Sequence, residues 1–318
     1  MPILDRLGLR PKAPVAVAAP EAARAHELFF VRGHPRSGTN WIGTLLNLHP
    51  QINCFGEFHF EDIRNAIDNL QSQVWQITSR DPVKAAMDQG FEELVRRCVL
   101  SLESRKPEAH WVGDRTPRGL RIFIQGAPYI LIIRDGRDVL VSWTYHALRM
   151  RPHVIDAIVP ADLRAGFEPL YRAFQADPEH FRKHPDQLLS QEGWIRMLAT
   201  RWAGWMHADQ QSIARVHAGE VGSRARLLVV SYERLHADVE AGRREMYDFL
   251  GLDPADAAPI STATKTTAGF EKEDPASFFR HGQVGDWKRH ATDRFKQWFK
   301  ESAGVSLISL GYEKDGNW

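Results

Sequence analysis

The chain has 318 residues, 43% of them hydrophobic and 25% charged, with 41 Lys+Arg against 40 Asp+Glu and a formal net charge of +1. That length bounds one large or two ordinary domains of roughly 100–200 residues each, and the composition is that of a globular protein. So balanced a charge supplies no global field for nucleic acid or a membrane surface, and any anion must be met by local clusters of arginine.

Residues 1–25 read as a mobile Ala/Pro-rich arm. Pro14 and Pro20 interrupt its alanines, and it lacks the cationic start and unbroken apolar stretch of a signal peptide. No apolar run nears the ~20 residues that span a bilayer. Cys54 and Cys98 are the two cysteines, too few for a disulfide framework, so a reducing compartment and a cytoplasmic location are expected. Residues 26–318 read as one domain, with no internal repeat and no boundary between two cores.

Leu28, Phe29, Phe30 and Val31 form an apolar run, the pattern of a strand buried on both faces. A glycine-bearing loop follows, from Gly33 to Gly38. Ile42, Leu45, Leu46 and Leu48 then return at helical spacing until Pro50. Residues 53–60 read as a turn into a helix near Glu61 to Gln73. Asp81 and Pro82 start another helix, with Phe91, Leu94, Val95, Cys98 and Leu102 on its apolar face. Trp111 to Pro117 reads as a short strand ending in a polar loop. Tyr129 to Ile133 is the clearest buried strand, and a helix follows it through Leu148. Residues 150–191 are polar and broken by prolines, and read as an insertion capping a substrate site. Trp194, Leu198, Trp202, Trp205 and Met206 mark one face of a long helix, a packing stripe. Leu227 to Val230 is another buried strand, and the helical stretch after it stops at Gly251. Residues 255–293 read as loop, and a last helix covers 293–302. Strands alternating with helices predict an α/β fold, a parallel sheet flanked by helices on both faces.

In such sheets ligands bind beyond the carboxyl ends of the strands. Strand, glycine loop and helix make a frame for phosphate, through loop N–H groups and the helix dipole. The loop departs from the Walker pattern: Thr39 and Asn40 follow Gly38 where that pattern has lysine and Ser/Thr. Arg36 is the basic residue instead. The frame therefore suits a phosphate that is not a Mg-bound triphosphate. A tight turn without a ligand is the other reading. Arg134 directly follows a buried strand, and Ser142 lies about two turns further along a helix, on roughly the same side. A guanidinium fork and a hydroxyl suit a phosphate; a surface arginine and a helix-interior serine fit equally.

Four stretches together resemble the sulfotransferases that use 3′-phosphoadenosine-5′-phosphosulfate (PAPS), bacterial members included. PRSGTNW resembles their 5′-phosphosulfate loop, which implies contacts from Arg36, Ser37, Gly38, Thr39 and Asn40 and a base-stacking role for Trp41. RDGRDVLVSWTYH resembles their 3′-phosphate motif, which implies Arg134 and Ser142. VSYERL resembles the strand whose tyrosine reaches the adenine, here Tyr232. FFRHGQVGDWK resembles their C-terminal motif, with Arg280 and Gly282 in place and His281 where the family has lysine. Phe270 is a candidate second wall for the base. The resemblance implies a P-loop NTPase-like fold, PAPS as co-substrate, PAP as product and no metal. Packing roles for Trp41 and Tyr232 remain open.

Transfer to an alcohol needs a base for the hydroxyl proton. The stretch corresponding to the histidine-bearing one of cytosolic relatives, residues 113–117, has no histidine. Glu57, in NLHPQINCFGEFHF, matches the glutamate of other branches. Glu57 is the candidate base and His59 and Asp114 are the reserves; a loop carboxylate paired with an arginine is the alternative for Glu57. Phe55, Phe58 and Phe60 are expected to wall it from water. Arg36 is expected to face the charge growing on the departing phosphate. The acceptor is a hydroxyl on a small molecule, saccharide, lipid or peptide, which the residues do not identify. The dimer motif of cytosolic relatives is half present near Lys288 and Thr292, and Asp293 and Gln297 depart from it. Alternatives are a P-loop small-molecule kinase and a non-catalytic nucleotide-binding protein.

Overall fold

The computed structural model describes residues 26–219, 226–262, 273–277 and 280–318, with backbone alone for 153, 154 and 262. Five strands, β1 (Glu27–Gly33), β2 (Ile52–Gly56), β3 (Trp111–Arg115), β4 (Pro128–Ile133) and β5 (Arg226–Ser231), form one sheet in the order β2-β3-β1-β4-β5. Every pairing is parallel. The first helices are α1 (Thr39–Leu46), α2 (Glu61–Ser72), α3 (Asp81–Leu100) and α4 (Gly136–Leu148). Then come α5 (Pro152–Ile158), α6 (Arg164–Ala176), α7 (His180–Lys183) and α8 (Glu192–His217). The last are α9 (Tyr232–Ala237), α10 (Val239–Leu250), α11 (Trp287–His290) and α12 (Asp293–Ser309).

Strand alternation divides the core. In β1, Phe29 and Val31 face Ile42, Leu45, Tyr247 and Leu250 of α1 and α10. Leu28 and Phe30 face Phe91, Val95 and Val99 of α3. Both faces of the central strands are therefore covered, as a parallel sheet requires. At Gly113 a Cβ would sit 2.3 Å from the Phe29 ring, so the ring crosses β3 only because that residue is glycine. Gly251 ends α10 with a left-handed φ of 74°, as its position after the helical pattern predicts.

Four expectations are corrected. Residues 52–56 are an edge strand, not a turn. Polar Asn53 hides it: the side chain is fully buried, and its amide donates to the Leu102 carbonyl at 2.7 Å. Leu94 is exposed and Val99 takes its place in the α3 stripe. The final helix runs to Ser309, because Phe295, Phe299, Ala303 and Leu307 keep a buried stripe going past Gly304. The loop from 255 to 293 contains the short helix α11.

Residues 150–191, expected as a cover over the acceptor site, form α5, α6 and α7. Phe167, Leu170, Phe174 and Phe181 sink into the same core as Tyr145 and Trp194. No described residue among them lines the cleft described below.

Asp209 of α8 is a buried acid away from that cleft. One oxygen accepts the Leu120 N–H at 2.6 Å, and the other has no partner among the described residues. Burial pushes its carboxyl up to about 7. A raised value favours the protonated fold, so this stability is full below pH ~4 and is lost as pH rises through 7. Asp209→Asn keeps the acceptor and removes the ionisation. Its melting temperature should match wild type at pH 4 and exceed it at pH 8, by a gain on the order of 2–4 kcal/mol. Equal curves at both pH values would overturn this.

Candidate active site

Between β1 and α1 the chain makes two left-handed turns. Arg36 has φ 75° and Gly38 φ 105°. A Cβ on Gly38 would lie 2.9 Å from the Tyr232 ring, so only glycine lets the loop pass there. α1 begins at Thr39 with no side-chain cap and no acidic residue in its first turn. The first N–H groups of a helix have no partner within it, and they carry partial positive charge. Beside them Ser37 Oγ is buried with no partner among the described residues.

Arginines gather around this loop. Arg36 Nε donates to Ser142 Oγ at 3.1 Å. Arg134 donates to the carbonyls of Arg36 (3.1 Å) and Gln283 (3.0 Å), and its guanidinium lies 4.0 Å from the Tyr232 ring centre. Tyr232 Oη donates to the Gly282 carbonyl at 2.5 Å. Arg280 pairs with Glu273 and Asp286 and lies over the Tyr145 ring. Asp138 of α4 accepts the N–H groups of Gly285 (2.7 Å) and Trp287 (2.9 Å). The C-terminal loop is thereby fastened to the phosphate loop. Burial, and then repulsion from Arg149, Arg134 and Arg280, push Arg36 down to about 9. Concentrated positive charge of this kind is relieved by an anion.

A cleft of about 420 Å³ opens here, lined by Arg36, Gly38, Thr39, Asn40, Trp41, Glu57, Arg134, Ser142, Tyr232, Arg280, His281 and Gly282 among others. The four motif stretches thus meet at the carboxyl edge of the sheet. Trp41 both lines the cleft and packs in the core, 4% exposed and 5.3 Å from Tyr232. Phe270 lies outside the described residues. Ser142, expected to act with Arg134, is held by Arg36 instead, and Arg280 shares its charge with two carboxylates.

The three acid–base candidates separate. Glu57 lines the cleft, with a side chain 40% exposed. His59 Nε2 lies 3.3 Å from Glu57 Oε1, and Arg115 Nη1 lies 3.9 Å from Glu57 Oε2. His59 has a left-handed φ of 53°; with Arg36 it is one of two such non-glycine residues among those described. Asp114 is fully buried, ion-paired to Arg32 at 2.9 Å, and accepts the Phe58 N–H at 3.2 Å. It braces the turn that carries Glu57 and does not line the cleft. The expected wall of phenylalanines is also corrected. Phe58 and Phe60 stack on each other 5.2 Å apart, and Phe55 is exposed with Arg105 over its ring.

Two residues escaped the reading of the motifs. His146 lines the cleft, and burial with Arg36 and Arg149 lowers its imidazole to about 4. Arg149 repels the Arg36 charge more strongly than Arg134 or Arg280 does. Ser142, His146 and Arg149 stand at i, i+4 and i+7, one side of a helix. That spacing is the signal that could have found them.

A family model described as the sulfotransferase domain matches residues 27–306. Protein-tyrosine sulfotransferase A of Caenorhabditis elegans is 28% identical over 132 residues, 37% of this chain, and the chain spans about a third (33%) of that relative's length. A mouse sulfotransferase solved with PAP is 18% identical, with TM-score 0.46, over 90% of this chain and 85% of its own. The sulfotransferase domain of a Synechococcus olefin synthase is 15% identical, with TM-score 0.44, over 89% and 96%. Since the family model takes in the chain from β1 into α12, the protein belongs to the sulfotransferase domain family.

Proposed function

We propose that this protein transfers a sulfuryl group from PAPS to a hydroxyl acceptor. The observation that carries the reading is the arginine cluster beside an uncapped helix start, in a chain of this family. The fit extends to single atoms: Ser37 Oγ, Trp41 Nε1 and Arg134 Nε are buried polar atoms with no partner among the described residues. The cleft volume falls within the ~300–1,000 Å³ usual for small ligands.

When bound, PAPS supplies an electrophilic sulfur with a phosphate as its leaving group. Arg36 and the N–H groups of Gly38 to Asn40 would hold that phosphate and meet the charge that grows on it, with the Ser37 hydroxyl beside them. Arg134, Ser142, Arg280, His281 and Gly282 would hold the other phosphate. Trp41 and Tyr232 would flank the base, with Phe270 as a further wall. Glu57 would take the hydroxyl proton as the acceptor oxygen attacks sulfur in line; His59 is the alternate, and Asp114, buried against Arg32, is the less favoured reserve. Arginine charge stands in for the cation a kinase would use, since no lysine follows Gly38. The acceptor is a small-molecule, saccharide or lipid hydroxyl, and the setting is cytoplasmic, in keeping with free Cys54 and Cys98. No described helix is long and apolar enough to cross a membrane.

PAP with EDTA should stabilise the fold by about 2.7 kcal/mol at 100 times its Kd, a melting shift on the order of 5 °C. ATP with Mg²⁺ should do much less. Equal shifts, or a metal requirement for PAP, would overturn the reading.

A further inference from the structure

His281 lines the same cleft as Arg134, Arg280 and Gly282. Its Nδ1 is buried and has no hydrogen-bond partner among the described residues. The backbone on either side is pinned. The Arg280 carbonyl accepts the Asp274 N–H at 2.9 Å, and the Gly282 carbonyl accepts from Tyr232. The backbone that carries the ring is therefore fixed at the cleft, and Nδ1 is without a partner among the described residues.

Burial, the largest influence, holds this imidazole below its ordinary value of 6.5. It is neutral at neutral pH. Among the described residues, Asp286 and Glu273 favour its protonation, while Arg280 and Arg289 oppose it. Burial acts to raise both carboxyls, but Arg280 and Arg289 together outweigh it and hold both below the usual range, so both are ionised. A phosphate entering the cleft would add negative charge to that balance.

We propose that His281 takes up a proton when a phosphate of the nucleotide enters the cleft, so that nucleotide binding is linked to pH through this residue. The inference rests on the reading of the cleft as a PAPS site. A lysine at this position would carry its charge at all relevant pH values. A histidine makes the charge conditional on the ligand.

The other histidines nearby are in different surroundings. His146 lines the cleft, but the charges acting on it are Arg36 and Arg149, both cations. A proton there would be a third positive charge beside those two. His236 packs on Trp41 and Tyr232 at 6.4 and 6.2 Å and is not among the cleft-lining residues. His34 is buried against Trp205, with Arg201 opposing its charge. Among the described histidines, His281 alone combines the cleft with two ionised carboxylates.

The test is titration calorimetry of PAP into the full-length protein at pH 7.5, in buffers of different ionisation enthalpy. A phosphate monoester has completed its second ionisation, near pH ~6, so the nucleotide itself exchanges little. Wild type should take up ~0.3–1 proton, and its Kd should weaken ~3–10-fold from pH 6.5 to 8. His281→Gln and His281→Lys should show uptake near zero, and the Kd of His281→Lys should stay within about twofold over the same range. His146→Gln should keep the wild-type uptake. No uptake by wild type, uptake that persists in both His281 variants, or uptake lost in His146→Gln would overturn the inference. Failure of wild type to bind PAP at all would instead overturn the PAPS reading, and the inference with it.

Discussion

Glu57→Gln should lower turnover by ~10²–10⁴, the usual share of general-base catalysis, while PAP affinity stays near wild type. Glutamine keeps the shape and the hydrogen bonding but does not take the hydroxyl proton. The surroundings of Glu57 make the change specific. Its side chain is 40% exposed, and its polar neighbours are His59 at 3.3 Å and Arg115 at 3.9 Å. Neither contact is buried deeply enough for its loss to threaten the fold. His59→Ala should do markedly less to turnover. The comparison needs PAP binding by calorimetry and PAP release from PAPS with any working acceptor. Normal turnover in Glu57→Gln beside a dead His59→Ala would pass the role to His59.

Asp114→Asn should act on the fold instead. Arg32 and Asp114 are both without exposed surface and meet at 2.9 Å, between β1 and β3. The Arg32 guanidinium also lies 5.0 Å from the Phe30 ring centre and 5.5 Å from that of Phe123, a poor place for an unbalanced charge. Its other carboxylate, Glu61, is 3.8 Å away. Breaking such a buried pair from one side typically costs ~3–5 kcal/mol. Urea unfolding should show that loss in Asp114→Asn, with PAP restoring part of it. The carboxylate also accepts the Phe58 N–H and the Thr116 hydroxyl, so the turn bearing Glu57 should loosen. Native stability with turnover abolished would mean that Asp114 has a chemical role after all.

Much of the sheet can be read from the chain. β1 and β4 are apolar on both faces, which leaves little but a central parallel strand. β2 is different: it is short, carries a buried asparagine and ends at Gly56, so no period-two pattern survives. The phosphate loop is legible because its departure from the Walker pattern concerns charge, and charge is explicit in residue letters. What no motif discloses is how the arginines are balanced. Glu273 and Asp286 sit seven and six residues from Arg280, in a loop with no periodicity to bring them together. The expected wall around Glu57 fails for a related reason. Phe55 lies on the edge strand and is its one exposed side chain.

Arg134 and Asp138 reach forward to Gln283, Gly285 and Trp287, which lie 147 to 149 positions later in the chain. Ribosomes add about 5–20 residues per second, so Arg134 and Asp138 leave synthesis on the order of ten seconds before these partners. During that interval the sheet can assemble, yet Asp138 has no N–H groups to receive and the nucleotide site lacks one wall. A premature stop before Gly285 would leave a protein with every strand of its sheet and its phosphate loop, but without the backbone N–H groups that Asp138 receives.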